Sequence, residues 1–326
     1  MGDFSCLASK FREKCFSRNN KKQDMKDNNE AKRKRVESFL KENYKGEFII
    51  SETPNKEGKY EVSSNGFVRM ISESKSLTTE DFVFMEVLNF DCSRNEMLLS
   101  LKGAPQKVNI FNCNECTAVE TLEGAPKDAN EFYCGDCYSL WTLKGAPKKV
   151  KKFDCSDSNG IENLEGAPEI AEEFNCSYCQ SLKSLEGGPK EVDTFYCLCC
   201  DNLVSIKGAP KTANVFSCEC CHALTSLEGA PNEVKEFNCG GCESLKSLKG
   251  APQQVQKFDC GNCDSLQTLE GAPEKTNVFK CTRCRSLKFL KGAPKKVEIF
   301  DCRYCESLYS FEGAPEEVGK FYCGFN

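Results

Sequence analysis

Histidine and tryptophan are almost missing from this 326-residue sequence, which has one of each, and long apolar runs are missing altogether. With only His222 available, the sequence argues against catalysis by a Ser/His/Asp or Cys/His set. No stretch approaches the roughly 18 apolar residues that a membrane-spanning helix needs, and the N-terminus lacks the apolar segment of a secretory leader. We therefore expect a cytoplasmic, non-enzymatic protein that uses no cofactor and contacts no membrane.

An overall excess of positive charge is also missing. The chain carries 44 Lys and Arg against 49 Asp and Glu, a formal net charge of −5. Residues 1–35 hold eleven of the basic and five of the acidic residues, so this segment is +6 and the rest of the chain is −11. An acidic array is not typical of nucleic-acid-binding proteins, and we expect no nucleic-acid partner.

What the sequence has in abundance is repetition. The tripeptide Gly-Ala-Pro recurs in steps of 21 residues from position 103 to position 313, and residues 187–189 read Gly-Gly-Pro in the one remaining slot. Phenylalanine keeps the same step from Phe90 to Phe321, and cysteine follows two residues later from Cys92 to Cys323. An unbroken period of this length predicts a repeat solenoid of stacked turns.

One unit reads V-x-x-F-x-C-x-x-C-x-x-L-x-x-L-x-G-A-P. In F-x-C, apolar positions alternate with polar ones, which predicts a short strand that turns Phe and Cys inward. The two leucines then pack from the opposite wall, Gly permits the bend, and Pro holds Ala extended. One unit buries too few apolar side chains to offset the entropy lost by ordering 21 residues, so we expect only the stacked array to fold.

This pattern resembles leucine-rich repeats, whose unit is L-x-x-L-x-L-x-x-N/C-x-L. The segment from Val108 to Val119 fills every slot of that unit, with Cys116 at the Asn or Cys position. It is similar to the short repeats of bacterial effectors and to Treponema-type repeats, and Gly-Ala-Pro arrays of this kind occur in bacterial and phage proteins. The resemblance implies a curved array with short parallel strands on its concave face and little helix, and it implies no activity.

The two ends of the chain depart from the repeat. We predict a disordered basic tail over residues 1–30, a small α/β N-terminal cap over 31–89 and the array over 90–326. The sequence stops soon after the twelfth strand of the array without a polar cap, which predicts an open edge through which copies of the chain associate.

Three local patterns describe the predicted cap. Four apolar residues share one face of a helix predicted over residues 31–44; they are Val36, Phe39, Leu40, Tyr44. The pair Asn65-Gly66 between apolar residues predicts a β-hairpin. Leu77 and Val87 lie one period before array positions of the same type, which indicates a degenerate repeat.

The Cys-x-x-Cys pairs leave three interpretations open. Pairs separated by 17 residues fit a four-cysteine zinc site, and strands about 4.8 Å apart bring like cysteines within disulfide distance. The third interpretation is packing with ladder hydrogen bonds, which we favour because Asn95 and Ser158 replace the second cysteine in two units. We predict no metal site, and Cys199, Cys220 and His222 are where metal or redox chemistry would be sought.

Most strand positions that point away from the predicted core are small or polar. The exceptions are the candidate partner-binding residues, namely Tyr133, Tyr178, Tyr196, Leu198, Val215. Aromatic and apolar side chains together on an exposed face are typical of contact sites. The sequence therefore favours a scaffold that binds a protein partner through the concave strand face. Self-association through the C-terminal edge and thiol-based metal or redox sensing are the alternatives.

Overall fold

One long sheet runs through the molecule, which we describe from a computed structural model of residues 4–324, with side chains from residue 23 onward. Within that range a single helix, α1 (Phe4–Asn43), precedes the sheet. The strands are β1 (Tyr44–Lys45), β2 (Ile49–Ile50), β3 (Tyr60–Met70), β4 (Phe82–Asp91), β5 (Lys107–Asn112), β6 (Asp128–Tyr133), β7 (Lys152–Asp154), β8 (Ile170–Asn175), β9 (Glu191–Tyr196), β10 (Thr212–Ser217), β11 (Glu233–Asn238), β12 (Lys257–Asp259), β13 (Val278–Lys280), β14 (Lys296–Asp301) and β15 (Glu317–Tyr322).

Strands β3 to β15 are parallel, and each is hydrogen-bonded to the next strand in chain order. From β4 onward, every residue pairs with the residue 21 positions later, as Phe111 does with Phe132. A slip of one residue would turn the buried Phe outward, so burial fixes the register. The predicted solenoid of parallel strands with little helix is confirmed.

The core consists of columns of identical side chains that run along the solenoid. The phenylalanine rings from Phe90 to Phe321 form a continuous stack with neighbouring centroids 5.1–5.9 Å apart. Two cysteine columns and two leucine columns fill the remaining space, and Cys113, Cys116 and Leu122 are fully buried. The inward strand positions are therefore those that the sequence predicts.

Each Gly-Ala-Pro segment closes one turn of the solenoid. The first glycine has a φ between 81° and 106° in all eleven units, a region that favours glycine. The amide of the following residue donates to a leucine carbonyl three residues earlier, as Ala125 does to Leu122 at 3.0 Å. A compact bend with its own hydrogen bond results, and the repeat needs glycine there.

A column of charged residues precedes these glycines and nearly alternates in sign. Its members are Lys102, Glu123, Lys144, Glu165, Glu186, Lys207, Glu228, Lys249, Glu270, Lys291, Glu312. Opposite charges meet between adjacent turns, with Lys207 Nζ 3.1 Å from a carboxylate oxygen of Glu186 and Lys249 Nζ 3.5 Å from one of Glu228. These side chains are exposed, so each pair stabilises the fold by at most about 1 kcal/mol.

The N-terminal segment corrects one prediction. Residues 4–30, expected to be disordered, belong to α1, which runs on through the helix predicted over 31–44. Val36 and Leu40 are buried against the first strands, as predicted. Over its full 40 residues α1 shows little amphipathic periodicity, and the ion pair of Glu30 with Lys34 joins the segment before residue 31 to the predicted helix.

The hairpin predicted at Asn65-Gly66 is wrong. Both residues lie inside β3, which continues through them and pairs in parallel with β4. The pairing shifts between Val62 and Ser64 and again between Ser64 and Phe67, so this stretch forms a bulge. Neither Asn65 nor Gly66 has the positive φ that a type I′ hairpin turn needs, so the strand continues through them.

The remaining cap residues follow the repeat more closely. Leu77 and Val87 are fully buried, in the columns predicted for a degenerate repeat. The helix also contacts the sheet through polar groups, since Arg35 Nε lies 2.9 Å from a carboxylate oxygen of Asp81 and the Tyr60 hydroxyl donates to the Asn29 carbonyl. The described part of the chain contains no helix that is both long and apolar enough to cross a membrane.

Candidate binding surface on the strand face

The outward side of the sheet, here called the strand face, consists of three columns of side chains. In the β5 turn these positions are Ile110, Asn112 and Asn114, between and beside the buried Phe111 and Cys113. Every later turn repeats them 21 residues on. All five candidate binding residues lie on this face or at its border with the next turn.

Most Asn and Asp residues of the middle column have a structural role that the sequence analysis missed. A side-chain oxygen of each accepts a hydrogen bond from the amide two residues later, as Asn112 does from Asn114 at 3.0 Å. The others with this bond are Asp91, Asp154, Asn175, Asn238, Asp259, Asp301. The preference of Asn and Asp for such local bonds is the signal that predicts it.

Tyrosine interrupts this column at Tyr133 and Tyr196, and the preceding turn then supplies the missing acceptor. The Gly135 amide donates to Asn114 Oδ1 at 2.8 Å, and the Leu198 amide donates to Ser177 Oγ at 3.1 Å. A residue one turn away thus replaces the local bond. Tyr133 and Tyr196 therefore lie on the strand face while the amides of Gly135 and Leu198 remain hydrogen-bonded.

Three of the predicted residues come together in two adjacent turns. Tyr196 ends β9 and lies beside Ser217 of β10, whereas Val215 of β10 pairs with Thr194 of β9. Leu198 follows Tyr196 at the next outward position of the same turn. Tyr196, Leu198 and Val215 therefore lie within two adjacent turns of the strand face, with Val215 diagonal to Tyr196 on strands about 4.8 Å apart.

Tyr178 borders these three residues at the turn that follows β8. Its backbone has a φ of 60°, its amide donates to the Leu198 carbonyl at 2.7 Å, and its side chain is 47% exposed. The neighbouring Cys199 raises the pKa of the Tyr178 hydroxyl. We call Tyr178, Tyr196, Leu198 and Val215 the apolar patch.

Tyr133 does not join the apolar patch, because it lies three turns before Tyr196. Its hydroxyl donates to a carboxylate oxygen of Glu131 at 2.8 Å. The Lys152 ammonium lies 5.9 Å from the centre of the Tyr133 ring and 3.0 Å from a carboxylate oxygen of Glu173. Burial, followed by the bond to Glu131, raises the pKa of Tyr133. The ring and the hydroxyl of Tyr133 are already engaged by its own surroundings.

The buried cysteines form a hydrogen-bonded ladder. The second cysteine of a unit donates through Sγ to the carbonyl of the first cysteine in the preceding turn, as Cys179 does to Cys155 at 3.3 Å. Ser158 makes the same bond through Oγ at 3.0 Å, and Asn95 Nδ2 donates to the Ser74 carbonyl. The favoured interpretation of these pairs, packing with ladder hydrogen bonds, is confirmed.

Two further thiols lie outside the ladder. Cys199 and Cys220 occupy the same position in adjacent turns and are half-exposed, unlike the buried ladder cysteines. The imidazole of His222 is close by, with Nδ1 2.8 Å from a carboxylate oxygen of Asp201 and Nε2 3.9 Å from one of Glu243. The residues that the sequence singles out for metal or redox chemistry therefore lie on the surface beside the apolar patch.

A shallow groove of about 590 Å³ runs along the beginnings of the turns from β9 to β13. Val234 and Val255 line it together with polar residues such as Asp193, Asn214 and Lys235. None of the predicted binding residues lines this groove, which lies at the opposite end of the strands from Tyr196 and Leu198.

Protein-family models, curated protein sequences and solved structures contain no match to this chain. The similarity to leucine-rich repeats therefore rests on the spacing of its own residues. The fold itself is a solenoid of about thirteen stacked 21-residue turns with parallel strands.

Proposed function

We propose that the protein is a non-enzymatic binding module that holds a protein partner against the apolar patch of its strand face. The observation that carries this proposal is the grouping of the exposed Tyr178 with the half-buried Tyr196, Leu198 and Val215 on a face whose other outward residues are mostly small or polar. Exposed apolar groups concentrated in one place mark contact sites more often than scattered ones do. Tyrosine is also enriched among residues that dominate binding energies.

The hydrogen bonds beneath the patch support the proposal. Asn or Asp at position 196 would bond its own turn, whereas Tyr196 requires Ser177 to supply an acceptor for the Leu198 amide. The scaffold thus satisfies its backbone while presenting an aromatic ring outward. A rigid sheet that presents preordered side chains loses little conformational entropy on binding.

The absence of a catalytic arrangement in the sequence agrees with this proposal. The one histidine, His222, lies on an exposed turn within 2.8 Å of Asp201. The ladder thiols lie in the core and donate to carbonyls, which leaves them shielded from any substrate.

The test compares partner capture by the full chain and by a double variant, Tyr196→Ser with Leu198→Ser, under reducing conditions. Proteins retained from lysate of the native cell are quantified by mass spectrometry, and the affinity of each specific one is then measured with purified protein. We expect at least a tenfold loss of affinity for the double variant, because truncating buried anchors typically costs about 2 kcal/mol or more each. Its thermal unfolding should stay nearly unchanged, since both side chains point away from the core.

Two single variants serve as matched controls. Val278→Ser changes the column of Val215 three turns away, and Tyr133→Ser removes an aromatic ring from the column of Tyr196. Both should retain the partner. Equal capture by the double variant and the unaltered chain would refute this location of the site, and loss of folding would show that the residues are part of the core.

A further inference from the structure

Cys199 and Cys220 stand apart from the other cysteines by position and exposure. Apart from Cys323 near the end of the described residues, which is exposed, the cysteines of the two columns are buried, whereas these two are half-exposed and follow one another in the same column. That column is held by other residues in the neighbouring turns, Tyr178 before the pair and Gly241 after it. The two thiols are therefore adjacent along the solenoid and reachable from solvent.

The backbone holds the two cysteines in equivalent conformations. Their φ angles are 51° and 56°, and each amide donates at 2.8 Å to a carbonyl of the next turn, Glu219 for Cys199 and Gly240 for Cys220. The turns are separated here by 5.2 Å, the distance between the ring centroids of Phe195 and Phe216. Bridged cysteines have Cα atoms about 4.4–6.8 Å apart, so this spacing suits a disulfide.

The side chains are also placed for reaction with each other. Cys199 lies at the equivalent position one turn before Cys220, and Cys220 Sγ lies over Gly241 of the following turn, 2.9 Å from where a Cβ would stand. The missing side chain at Gly241 leaves room around the Cys220 thiol. Closing the bond requires a rotation about χ1 of Cys220 towards Cys199, and rotamer changes of exposed side chains take only pico- to nanoseconds.

We propose that Cys199 and Cys220 form a dithiol that a low-molecular-weight disulfide, such as glutathione disulfide, oxidises reversibly to an intramolecular disulfide. In the first step the Cys199 thiolate attacks one sulfur of glutathione disulfide, the S–S bond breaks, and one glutathione thiolate leaves. In the second step the Cys220 thiolate attacks Cys199 Sγ and displaces the second glutathione. The protein gives up two electrons and two protons, and two molecules of glutathione form.

The environment of Cys220 sets this order. Burial and the neighbouring Cys199 raise the pKa of Cys220 to about 11, so this thiol is protonated at neutral pH and does not attack first. Once Cys199 is bound to glutathione, its charge no longer opposes ionisation of Cys220. The inference concerns the thiols alone and does not depend on a partner at the apolar patch.

The same two turns contain a matched pair in a different environment. Cys197 and Cys218 also occupy equivalent positions one turn apart, but both are fully buried. The two pairs therefore have the same spacing along the solenoid, but only Cys199 and Cys220 are accessible to solvent. If spacing alone decided the reaction, the buried pair would react as well.

The experiment uses the full chain with Cys6, Cys15 and Cys323 replaced by Ser, which leaves Cys199 and Cys220 as the half-exposed thiols among the described residues. The reduced protein is incubated with glutathione disulfide, alkylated and mapped by peptide mass spectrometry. We expect a Cys199–Cys220 disulfide with a mass loss of about 2 Da, no retained glutathione, and full reversal by dithiothreitol. In Cys220→Ser, one glutathione should remain on Cys199.

Four results would overturn the proposal. If each cysteine retained its own glutathione, or if neither reacted, the Cys199–Cys220 disulfide would not have formed. Equal formation of a Cys197–Cys218 bond would show that exposure does not select the site. A Cys199→Ser variant in which Cys220 still forms a disulfide would show that another thiol is the reaction partner. Circular dichroism of each variant verifies that the solenoid remains folded.

Discussion

At the scale of single residues, the cysteine ladder and the Asn or Asp column bond the backbone groups that are left unpaired where the parallel sheet ends. The amide of Ser177 bonds Asn175 Oδ1 at 3.1 Å, and the Cys155 carbonyl one turn earlier accepts from Cys179 Sγ at 3.3 Å. In a continued parallel ladder this amide and this carbonyl would have bonded each other. Two side chains satisfy them separately, which lets the chain leave the strand for its turn without unpaired backbone groups.

This role predicts how the ladder responds to substitution. Cys179→Ala should destabilise the protein by about 1–3 kcal/mol, because the Cys155 carbonyl then stays buried without a donor. Cys179→Ser should cost less, since Ser158 makes the equivalent bond at 3.0 Å in another turn. Urea unfolding under reducing conditions measures both variants. Equal destabilisation by Ala and Ser would mean that the Sγ hydrogen bond contributes nothing.

At the scale of elements, the turn between successive strands depends on one backbone conformation. The neighbouring glycines Gly187 and Gly188 lie in the same turn but differ in backbone conformation. Only the first of them needs glycine. Gly187 has a φ of 85°, and a Cβ there would lie 2.7 Å from the Glu165 amide nitrogen and Cα. Gly188 occupies the slot that alanine fills in the other ten units, and its φ is not positive.

The same substitution at these neighbours should therefore have opposite effects. Gly187→Ala should destabilise the protein by about 1–3 kcal/mol, since strain and a backbone clash combine. Gly188→Ala should stabilise it by about 0.4–1 kcal/mol, because alanine narrows the unfolded ensemble and fits this position elsewhere in the array. Thermal unfolding of both variants checks the pair. Similar destabilisation by both would contradict the distinction.

Elements also divide according to how well the sequence predicts them. The 21-residue step predicts the inward Phe and Cys columns because a residue of the array meets its own copy in the next turn. The residues of the cap have no such copy, so their structure had to be predicted from local sequence patterns. Those patterns misassigned the bulge at Asn65-Gly66 and residues 4–30 of α1. The outward strand positions follow from the same step, and their role in binding stays a prediction. What the sequence did not predict is that Tyr133 is engaged by Glu131 and Lys152, which sets it apart from Tyr196 and Val215.

At the scale of the whole molecule, the column formed by the first cysteine of each unit makes the free energy of unfolding depend on its thiols staying protonated. Burial raises the pKa of Cys134, Cys176 and Cys197 well above its ordinary value. In the unfolded chain these thiols ionise near their ordinary pKa of about 8.5. Their contribution to stability is complete below that pH and is lost as the pH rises towards the folded-state pKa.

We therefore expect alkaline destabilisation with an unusually steep slope. Each buried thiol whose folded-state pKa is raised removes about 1.4 kcal/mol of stability per pH unit between about pH 8.5 and that pKa, and the first cysteines of the units form a column of such thiols. Urea midpoints measured with reductant should be level from pH 6 to 8 and fall sharply from pH 9 to 10. Replacing Cys220 with Ser should lessen the slope only slightly, since it removes a single thiol whose pKa is raised to about 11. A level midpoint up to pH 10 would contradict the prediction.

The alternating column that contains Lys207, Glu228 and Lys249 has a consequence for how the gene can change in length. Deleting one 21-residue unit preserves every hydrophobic contact type but brings two like charges together, as Lys207 would meet Lys249 after loss of the Glu228 unit. Removing two consecutive units there restores opposite neighbours, because Lys207 then meets Glu270. The charge column therefore constrains recombination in this stretch. Gain or loss of two units keeps Lys and Glu alternating along the column, whereas gain or loss of one unit places two like charges side by side.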